Sequence, residues 1–269
     1  MKIVILVENR KEQNECLNEE GLSIYVEIDS NKFLIDAGIT DAYLTNAKLL
    51  NIDLDSIEKM VLSHGHWDHG NGFKYLSQTK NKTIILHPDC FLDRYSSRRD
   101  MEYAGINQKL DEMTKKYNII QTVNSYEIFD NVWYLGQIDR NNDFEGKKFP
   151  TVLENNEIDY LNDDSGVAIK TQRGIIVISS CAHSGICNTI EYAKKITGEN
   201  KVLAVIGGFH LNEIDELLEK TIEYFKENII DNIYVGHCTS DEVLNEFEKK
   251  LKDTCNIEKL YSGKIIEID

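Results

Sequence analysis

Within six residues, the segment His64-Gly65-His66-Trp67-Asp68-His69 carries four side chains that can bind a metal, in a chain with only seven histidines. The segment directly follows Val61-Leu62-Ser63, an apolar stretch that reads as the end of a buried strand. Alternate residues at a strand end project to the same side, so His64 and His66 can grip one ion. Where the chain then turns into a helix, Asp68 and His69 sit in its first turn and point toward a neighbouring position. Imidazole and carboxylate donors suit zinc, iron or manganese, and no four-thiolate cage is present. Ordinary surface or core histidines would have no reason to cluster this way.

A centre of two ions needs further ligands, and the remaining histidines differ in their claims. His237 follows Ile233-Tyr234-Val235-Gly236, a strand closed by glycine, which is where a ligand belongs. His183 follows Ser179-Ser180-Cys181-Ala182 and precedes a helix. His210 follows Ile206-Gly207-Gly208-Phe209, where two glycines permit close backbone approach; it reads as a ligand, a substrate-facing acid or base, or a structural residue. His87, in Leu86-His87-Pro88, reads as structural. Arg94, Arg98 and Arg99 form the one compact basic cluster, either solvated or a small anion site. The six cysteines are scattered without a CxxC pair and read as free thiols.

Stepping outward, the elements that must hold these residues alternate in type. Met1 to Val7 reads as a first strand, and 22–28 with 32–36 as a hairpin turning at Asp29-Ser30-Asn31. A short helix is expected over 42–50, a buried strand from Lys59 to Ser63, a helix from Asn71 to Gln78 and a strand from Thr83 to His87. Between about Phe91 and Asn162 the pattern weakens to strand-like pieces at 117–123 and 126–134 among Asp-, Asn- and Glu-rich stretches. Such a region reads as loops that shape a pocket. Regularity returns with paired strands at 166–170 and 174–180, a helix at 186–196 and a strand at 201–206. A helix at 213–227, a strand at 232–235 and a helix at 241–251 follow. Two successive β/α halves, each with histidines at strand ends, suggest two sheets inside two helical layers, in a single domain over 1–269.

Composition removes several functional classes. A hydrophobic content of 41% and a charged content of 28% are those of a globular chain with a sizeable core. The formal charge of −16 repels phosphate backbones, so nucleic acid is not expected as a partner. Apolar runs such as Ile175-Ile176-Val177-Ile178 fall far short of the roughly 20 residues of a membrane helix. The five apolar residues after Lys2 are too few for a secretory core before Glu8, so a cytoplasmic location is expected.

The segment from His64 to His69 resembles the HxHxDH signature of metallo-β-lactamase-fold hydrolases, and Phe33-Leu34-Ile35-Asp36-Ala37-Gly38 looks like the upstream strand and turn of that superfamily. Glu20-Gly21-Leu22-Ser23, the stretch from Cys181 to Asn188, Gly207-Gly208-Phe209-His210-Leu211 and Gly236-His237-Cys238-Thr239 are similar to a narrower group, the dihydropterin ribofuranosylaminobenzene phosphate synthases and chains called metal-dependent hydrolases. The resemblance runs from the first strand to Cys238. It implies an α/β, four-layer αββα sandwich with two divalent ions, zinc foremost and manganese or iron as alternatives. It assigns His64, His66 and His183 to one ion and Asp68, His69 and His237 to the other, with Asp36 bracing the histidine loop. Many superfamily members carry a histidine in Gly-His-Thr-Pro-Gly where this chain has Asn162-Asp163-Asp164-Ser165. His183 can stand in for that ligand, and Cys181 or Asp164 could bridge.

The chemistry implied is hydrolysis of a small, anionic ester, lactone or phosphoester. Paired ions lower the pKa of water and polarise the oxygen under attack. Asp68 would bind metal and orient or deprotonate water, and His210 would protonate a leaving group or hold a phosphate. Two other outcomes use the same residues. One is a synthase joining a pterin precursor to a ribofuranosylaminobenzene phosphate, with Arg94 to Arg99 meeting the phosphate. The other is an iron-dependent redox or sensing protein, for which Cys181, Cys187 and Cys238 lie near candidate ligands.

Overall fold

The computed structural model describes residues 1–77, 79 and 81–268. In chain order its first elements are β1 (Lys2–Val7), β2 (Ser23–Ile28), β3 (Asn31–Ile35), α1 (Ala42–Leu49), β4 (Lys59–Val61), α2 (Trp67–Gly70), β5 (Thr83–Leu86), β6 (Arg94–Ser96), α3 (Leu110–Met113) and β7 (Asn118–Gln121). There follow β8 (Tyr126–Phe129), β9 (Val132–Tyr134), β10 (Thr151–Leu153), β11 (Gly166–Thr171), β12 (Gly174–Ser179), α4 (Ile186–Thr197) and β13 (Val202–Gly207). The last are α5 (Glu216–Asn228), β14 (Asn232–Val235), α6 (Asp241–Leu251), β15 (Asn256–Lys259) and β16 (Ile265–Glu267). They form two compact units: Met1–Val123 with Phe149–Asp163 and Tyr261–Asp269, and Asn124–Lys148 with Asp164–Leu260. No helix among the described residues is long and apolar enough to cross a membrane.

The first unit is built on a sheet ordered β16-β1-β2-β3-β4-β5-β7. Its β1-β2-β3 part is antiparallel, with a turn at Asp29-Ser30 in which Asp29 takes the left-handed region (φ 53°). From β3 through β4 and β5 to β7 the strands are parallel. Val4, Leu6, Leu34, Met60 and Ile84 pack with Ala42, Tyr43 and Ala47 of α1. The alternate residues Ile3, Ile5, Ile24, Phe33 and Ile35 are fully buried too, so these strands read as continuous apolar runs instead of alternating ones. Parallel strands finish at the same edge, and the residues that follow β3, β4 and β5 are Asp36, Leu62-Ser63-His64 and His87. The fold thereby places the histidine-rich segment at the carboxyl edge of its sheet.

The second unit repeats this logic on a sheet ordered β15-β14-β13-β12-β11-β9-β8. Strands β12 through β15 are parallel, and β11 pairs antiparallel with both β12 and β9. Val177, Val205, Ile233 and Val235 pack with Ile190 of α4, Ile222 and Phe225 of α5 and Phe247 of α6. Truncating a buried phenylalanine of this kind costs about 3–5 kcal/mol. Past the carboxyl ends of β12, β13 and β14 come His183, His210 and His237, in the position where open α/β sheets place their ligands.

Helix ends follow local chemistry. α5 starts at Glu216 and not at Glu213, because Asp215 is its N-cap and accepts from the Leu218 amide at 3.1 Å. α6 has the expected bounds, with Ser240 Oγ accepting from the Val243 amide at 3.3 Å. The helix expected over Asn71 to Gln78 is replaced by α2 and a 3-10 turn at Asn71–Tyr75; Gln78 lies outside the described residues. Gly72 lies tight against the Ala37 carbonyl, and the Asn71 side chain accepts from the Asn107 amide at 2.7 Å. Those contacts hold the segment in short turns.

Residues 91–162 hold more regular structure than their pattern suggests. β7 extends the first sheet, β8 and β9 extend the second, and β6 pairs with β10. Between β9 and β10, the acidic stretch is anchored by Glu145. This buried carboxylate accepts from the Cys187 amide (2.9 Å), the Asn188 amide (2.8 Å) and Asn142 Nδ2 (2.7 Å), and so caps α4. In return, Asn188 Oδ1 accepts from the amides of Asn141 and Asn142 at 3.0 and 3.1 Å. Burial raises the Glu145 carboxyl above its ordinary range, against the pull of these donors. Glu145→Ala is expected to lower unfolding free energy by about 3 kcal/mol, since bonds to a charged group contribute about 1.5–3 kcal/mol each. Urea denaturation measures this, and proteolysis should cut first within 139–148.

Candidate metal centre

The first unit gathers His64, His66, Asp68 and His69 around a buried carboxylate. The Asp36 residue follows β3 with a left-handed backbone (φ 57°) and is fully buried. Its Oδ1 accepts from the Ser63 amide at 2.8 Å, and its Oδ2 accepts from the Ser63 hydroxyl at 2.7 Å. His69 Nδ1 stands 2.8 Å from the same Oδ2. A carboxylate only accepts, so His69 Nδ1 carries the proton and its lone pair lies on Nε2. Ser63 spends its single hydroxyl proton on Asp36, which makes its oxygen the acceptor for His64 Nδ1 at 2.9 Å. The lone pair of His64 therefore also lies on Nε2, which stands 3.0 Å from His66 Nδ1. The His64 and His69 rings are 4.3 Å apart between centroids, and Asp68 Oδ2 is 3.5 Å from His69 Nε2. One carboxylate thus sets the tautomer of two histidines, one directly and one through a serine.

A second carboxylate holds the loop from the other side. Asp163 Oδ2 accepts from the Gly65 amide at 2.7 Å and pairs with Arg94 Nη1 at 3.0 Å. Arg94 is fully buried; its Nε is 3.2 Å from Asp159, and its Nη2 donates to the Asp89 carbonyl at 2.9 Å. Gly65 is pressed against the Cys90 carbonyl, where no side chain fits. Arg94 is therefore committed to Asp159 and Asp163 and is no part of a phosphate site, while Arg99 pairs at the surface with Glu20. The sequence signal for this brace, Asp163 in Asn162-Asp163-Asp164-Ser165, lies 98 residues from Gly65, so nothing local could reveal it. His87 has the structural place expected of it, accepting through Nδ1 from the Asp89 amide at 3.1 Å.

The second unit gathers Cys181, His183, His210, His237 and Cys238. Donor atoms of Cys181, His183 and His210 lie within 4.8 Å of one another, as do those of Cys181, His237 and Cys238. The His183 and His210 rings are 4.4 Å apart between centroids. The His210 side chain meets the Cys238 sulfur, which also accepts from the His210 amide at 3.3 Å. Ala182, His210 and His237 have φ of 49°, 52° and 51°, a region that costs non-glycine residues energy and that clusters at functional sites. The strain at His210 is held by its neighbour: Phe209 donates its amide to Thr239 Oγ1 at 2.9 Å and packs its ring edge-on against the stacked pair Phe225 and Phe247. The Asp164 carboxylate accepts from the Ser184 amide at 2.7 Å, has no partner at Oδ1 among the described residues, and is pushed up to about 6 by burial. Burial raises the Cys238 thiol, but its hydrogen bonds with Cys181 and His210 outweigh that and hold it well below its ordinary range. All six cysteines are free thiols.

The donor chemistry fits divalent cations: buried imidazoles with fixed tautomers, a partly exposed carboxylate and thiols beside them. Comparison with known proteins agrees. Residues 19–194 match the metallo-beta-lactamase superfamily model. The chain is 34% identical to the 7,8-dihydropterin-6-methyl-4-(β-D-ribofuranosyl)-aminobenzene-5'-phosphate synthase of Methanocaldococcus jannaschii, over 99% of this chain and 96% of that one. Its fold superposes on Tm1679, described as a metal-dependent hydrolase of the β-lactamase superfamily, with a TM-score of 0.84, 28% identity, and coverage of 100% of this chain and 99% of that one. It also resembles the Zn(2+)-bound PqqB of Methylobacterium extorquens, with a TM-score of 0.61, 15% identity and full coverage of both chains, a likeness of fold alone. With two multi-stranded sheets, their helices and these matches, this chain belongs to the metallo-β-lactamase superfamily.

Proposed function

We propose that this chain is a metal-dependent hydrolase acting on a small, anionic ester, lactone or phosphoester through two divalent ions, zinc foremost. The observation that carries the reading is the single Asp36 carboxylate that orients His69 directly and His64 through Ser63. Such orientation serves metal ligands, whose other ring nitrogen must present a lone pair. The proposed ligands are His64, His66, Asp68, His69, His183 and His237, with Cys181 or Asp164 as candidates to bridge. When bound, such ions supply Lewis acidity and lower the pKa of water. Asp68 orients a water and takes its proton. His210, whose ring lies 4.4 Å from that of His183 between centroids, protonates the leaving group or holds a phosphate oxygen. A small-molecule substrate suits a chain with a formal charge of −16 when cations concentrate positive charge at one place.

A second reading is favoured by one observation, the 34% identity to a phosphate synthase over nearly the whole of both chains. It uses the same residues and differs in the bond that is made. With Arg94 held by Asp159 and Asp163, any phosphate would have to be met by other groups. Assay of the parent against phosphoesters and lactones, beside assay for synthase product, separates the two readings.

Three outcomes are expected. Protein purified without chelator or added metal should hold about two equivalents of metal, as a paired-ion hydrolase requires. Elemental analysis should show a clear loss in His66→Ala and in His237→Ala; one ion or fewer in metal-replete parent, with His237→Ala unchanged, removes the two-ion reading. Asp36→Asn should weaken metal binding by about 10–100-fold, the usual effect of disturbing the partner of a ligating histidine. Ser63→Ala removes the link to His64 but leaves the Asp36–His69 contact, and should weaken metal binding several-fold less than Asp36→Asn. Equal losses in the two variants, measured by metal competition, would exclude the shared-carboxylate arrangement.

A further inference from the structure

Within the first unit, the chain from Arg94 to Gly105 doubles back and brings a cation toward the histidine segment. Tyr95 bridges Tyr103 across this hairpin, and Gly105 bridges His66. The Trp67 amide donates to the Ala104 carbonyl at 3.2 Å, so the returning arm lies directly on the histidine segment. At the tip, the Ser97 amide and hydroxyl both donate to the Pro150 carbonyl, at 2.9 and 2.8 Å. Ser96 Oγ accepts from the amides of Arg98 and Arg99 at 3.3 and 3.1 Å. The Glu102 amide donates to the Arg99 carbonyl at 2.7 Å, and left-handed backbone at Asp100 and Met101 turns the chain between them. Arg99 is therefore held at both its amide and its carbonyl.

From that fixed turn, Arg99 Nη2 reaches Glu20 Oε1 at 2.6 Å. Glu20 immediately precedes the closest backbone approach to Asp68. A Cβ at Gly21 would stand 2.5 Å from the Asp68 carbonyl, which accepts from the Leu22 amide at 3.3 Å. The charges that act on Arg99 are those of Glu20 foremost, then Glu102 and Asp68, and together they raise the guanidinium above its ordinary range. Arg99 thus stands beside the carboxylate to which the proposed function gives an ion and a water. Its pair with Glu20 is open to solvent, with 53% of the Arg99 side chain and 45% of the Glu20 side chain exposed. Exposed pairs hold weakly, so this one can exchange partners.

We propose that Arg99 is the specificity-determining residue for a phosphate group on the substrate, which it binds by giving up Glu20. A guanidinium presents its donors as a fork that matches two phosphate oxygens at once. The competitor decides the class of anion. A free carboxylate would have to displace a like carboxylate that is tethered to the same chain and always near. A phosphate monoester carries a charge of about −1.5 to −2 at neutral pH and offers three acceptor oxygens, so it can win that exchange. Glu102 and Asp68 still face the arriving anion, and the charge of Asp68 is offset by the ion it is proposed to bind. The inference rests on the proposed function in that the substrate is anionic and reaches Asp68. It deepens that reading by naming the anion and the residue that selects it.

The test titrates inorganic phosphate, and acetate as a singly charged carboxylate, into full-length metal-replete protein at low salt, with calorimetry as the readout. Arg99→Gln should weaken phosphate binding by about 10-fold, the share of one hydrogen bond between charged groups, and acetate binding much less. Glu20→Gln should tighten phosphate binding by about 2–5-fold, because it removes the competing partner of an exposed pair. Arg98→Gln makes the same change of charge in the same turn and should leave binding as it was. Phosphate binding that is absent from the parent, or unchanged in Arg99→Gln, overturns the proposal. A loss as large in Arg98→Gln overturns it too, since net charge and not a contact would then be at work. Equal losses of phosphate and acetate in Arg99→Gln remove the selection of phosphate. The metal content of the same samples tests the hydrolase reading separately: parent without metal removes that reading whatever Arg99 does to phosphate.

Discussion

A buried aspartate that accepts from a backbone amide, a hydroxyl and an imidazole organises the histidine segment of the first unit. Removing an ionised carboxylate from water costs several kcal/mol unless its oxygens are fully engaged. Asp36 meets that condition through Ser63 and His69. Because a carboxylate cannot donate, the direction of every proton in the cluster follows from it. Remove the negative charge and both His64 and His69 lose the group that decides which nitrogen faces outward. The left-handed backbone at Asp36 is the local cost of bringing that carboxylate back beneath the loop.

Rigidity around the loop is supplied by contacts of unrelated kinds. Asp163 grips the Gly65 amide, Arg94 neutralises Asp163, and Asp159 shares the same guanidinium. Leu22 donates its amide to the Asp68 carbonyl at 3.3 Å, and Ala37 donates to the His69 carbonyl at 2.8 Å. Glycine recurs where these backbones touch: a Cβ at Gly21 would stand 2.5 Å from the Asp68 carbonyl. The loop is fixed by its backbone, which leaves its side chains to chemistry. This is the preorganisation that a metal site demands, since ligands held loosely spend binding energy on being ordered.

The second unit reaches its arrangement by another route. Its donors stand at the ends of three neighbouring parallel strands, and their approach depends on the absence of a side chain at Gly208. Backbone strain at His210 and His237 is held by the packed ring of Phe209 and by the Thr239 hydroxyl. Core packing and site geometry are therefore one problem here: the aromatic group of Phe209, Phe225 and Phe247 holds the residue before His210 in place.

The histidine-rich segment, the strands before each histidine and the α4 to α6 helices were legible in the sequence, because strand and helix periodicities and capping residues are local. Asp215 and Ser240 define helix starts through side chains that reach only three residues along the chain. What the sequence could not disclose are the pairings that close over long separations. Arg94 read as a candidate anion site, and only the fold brings Asp159 and Asp163 to it. Glu145 read as one more acidic loop residue, yet it caps α4 some forty residues later. The edge strands β6, β10, β15 and β16 were likewise invisible, being short, half-exposed and defined by their partners. Local propensity determined which residues could do chemistry, and tertiary structure decided which carboxylate faces which donor, because a buried charge is tolerated only where the fold delivers its partners.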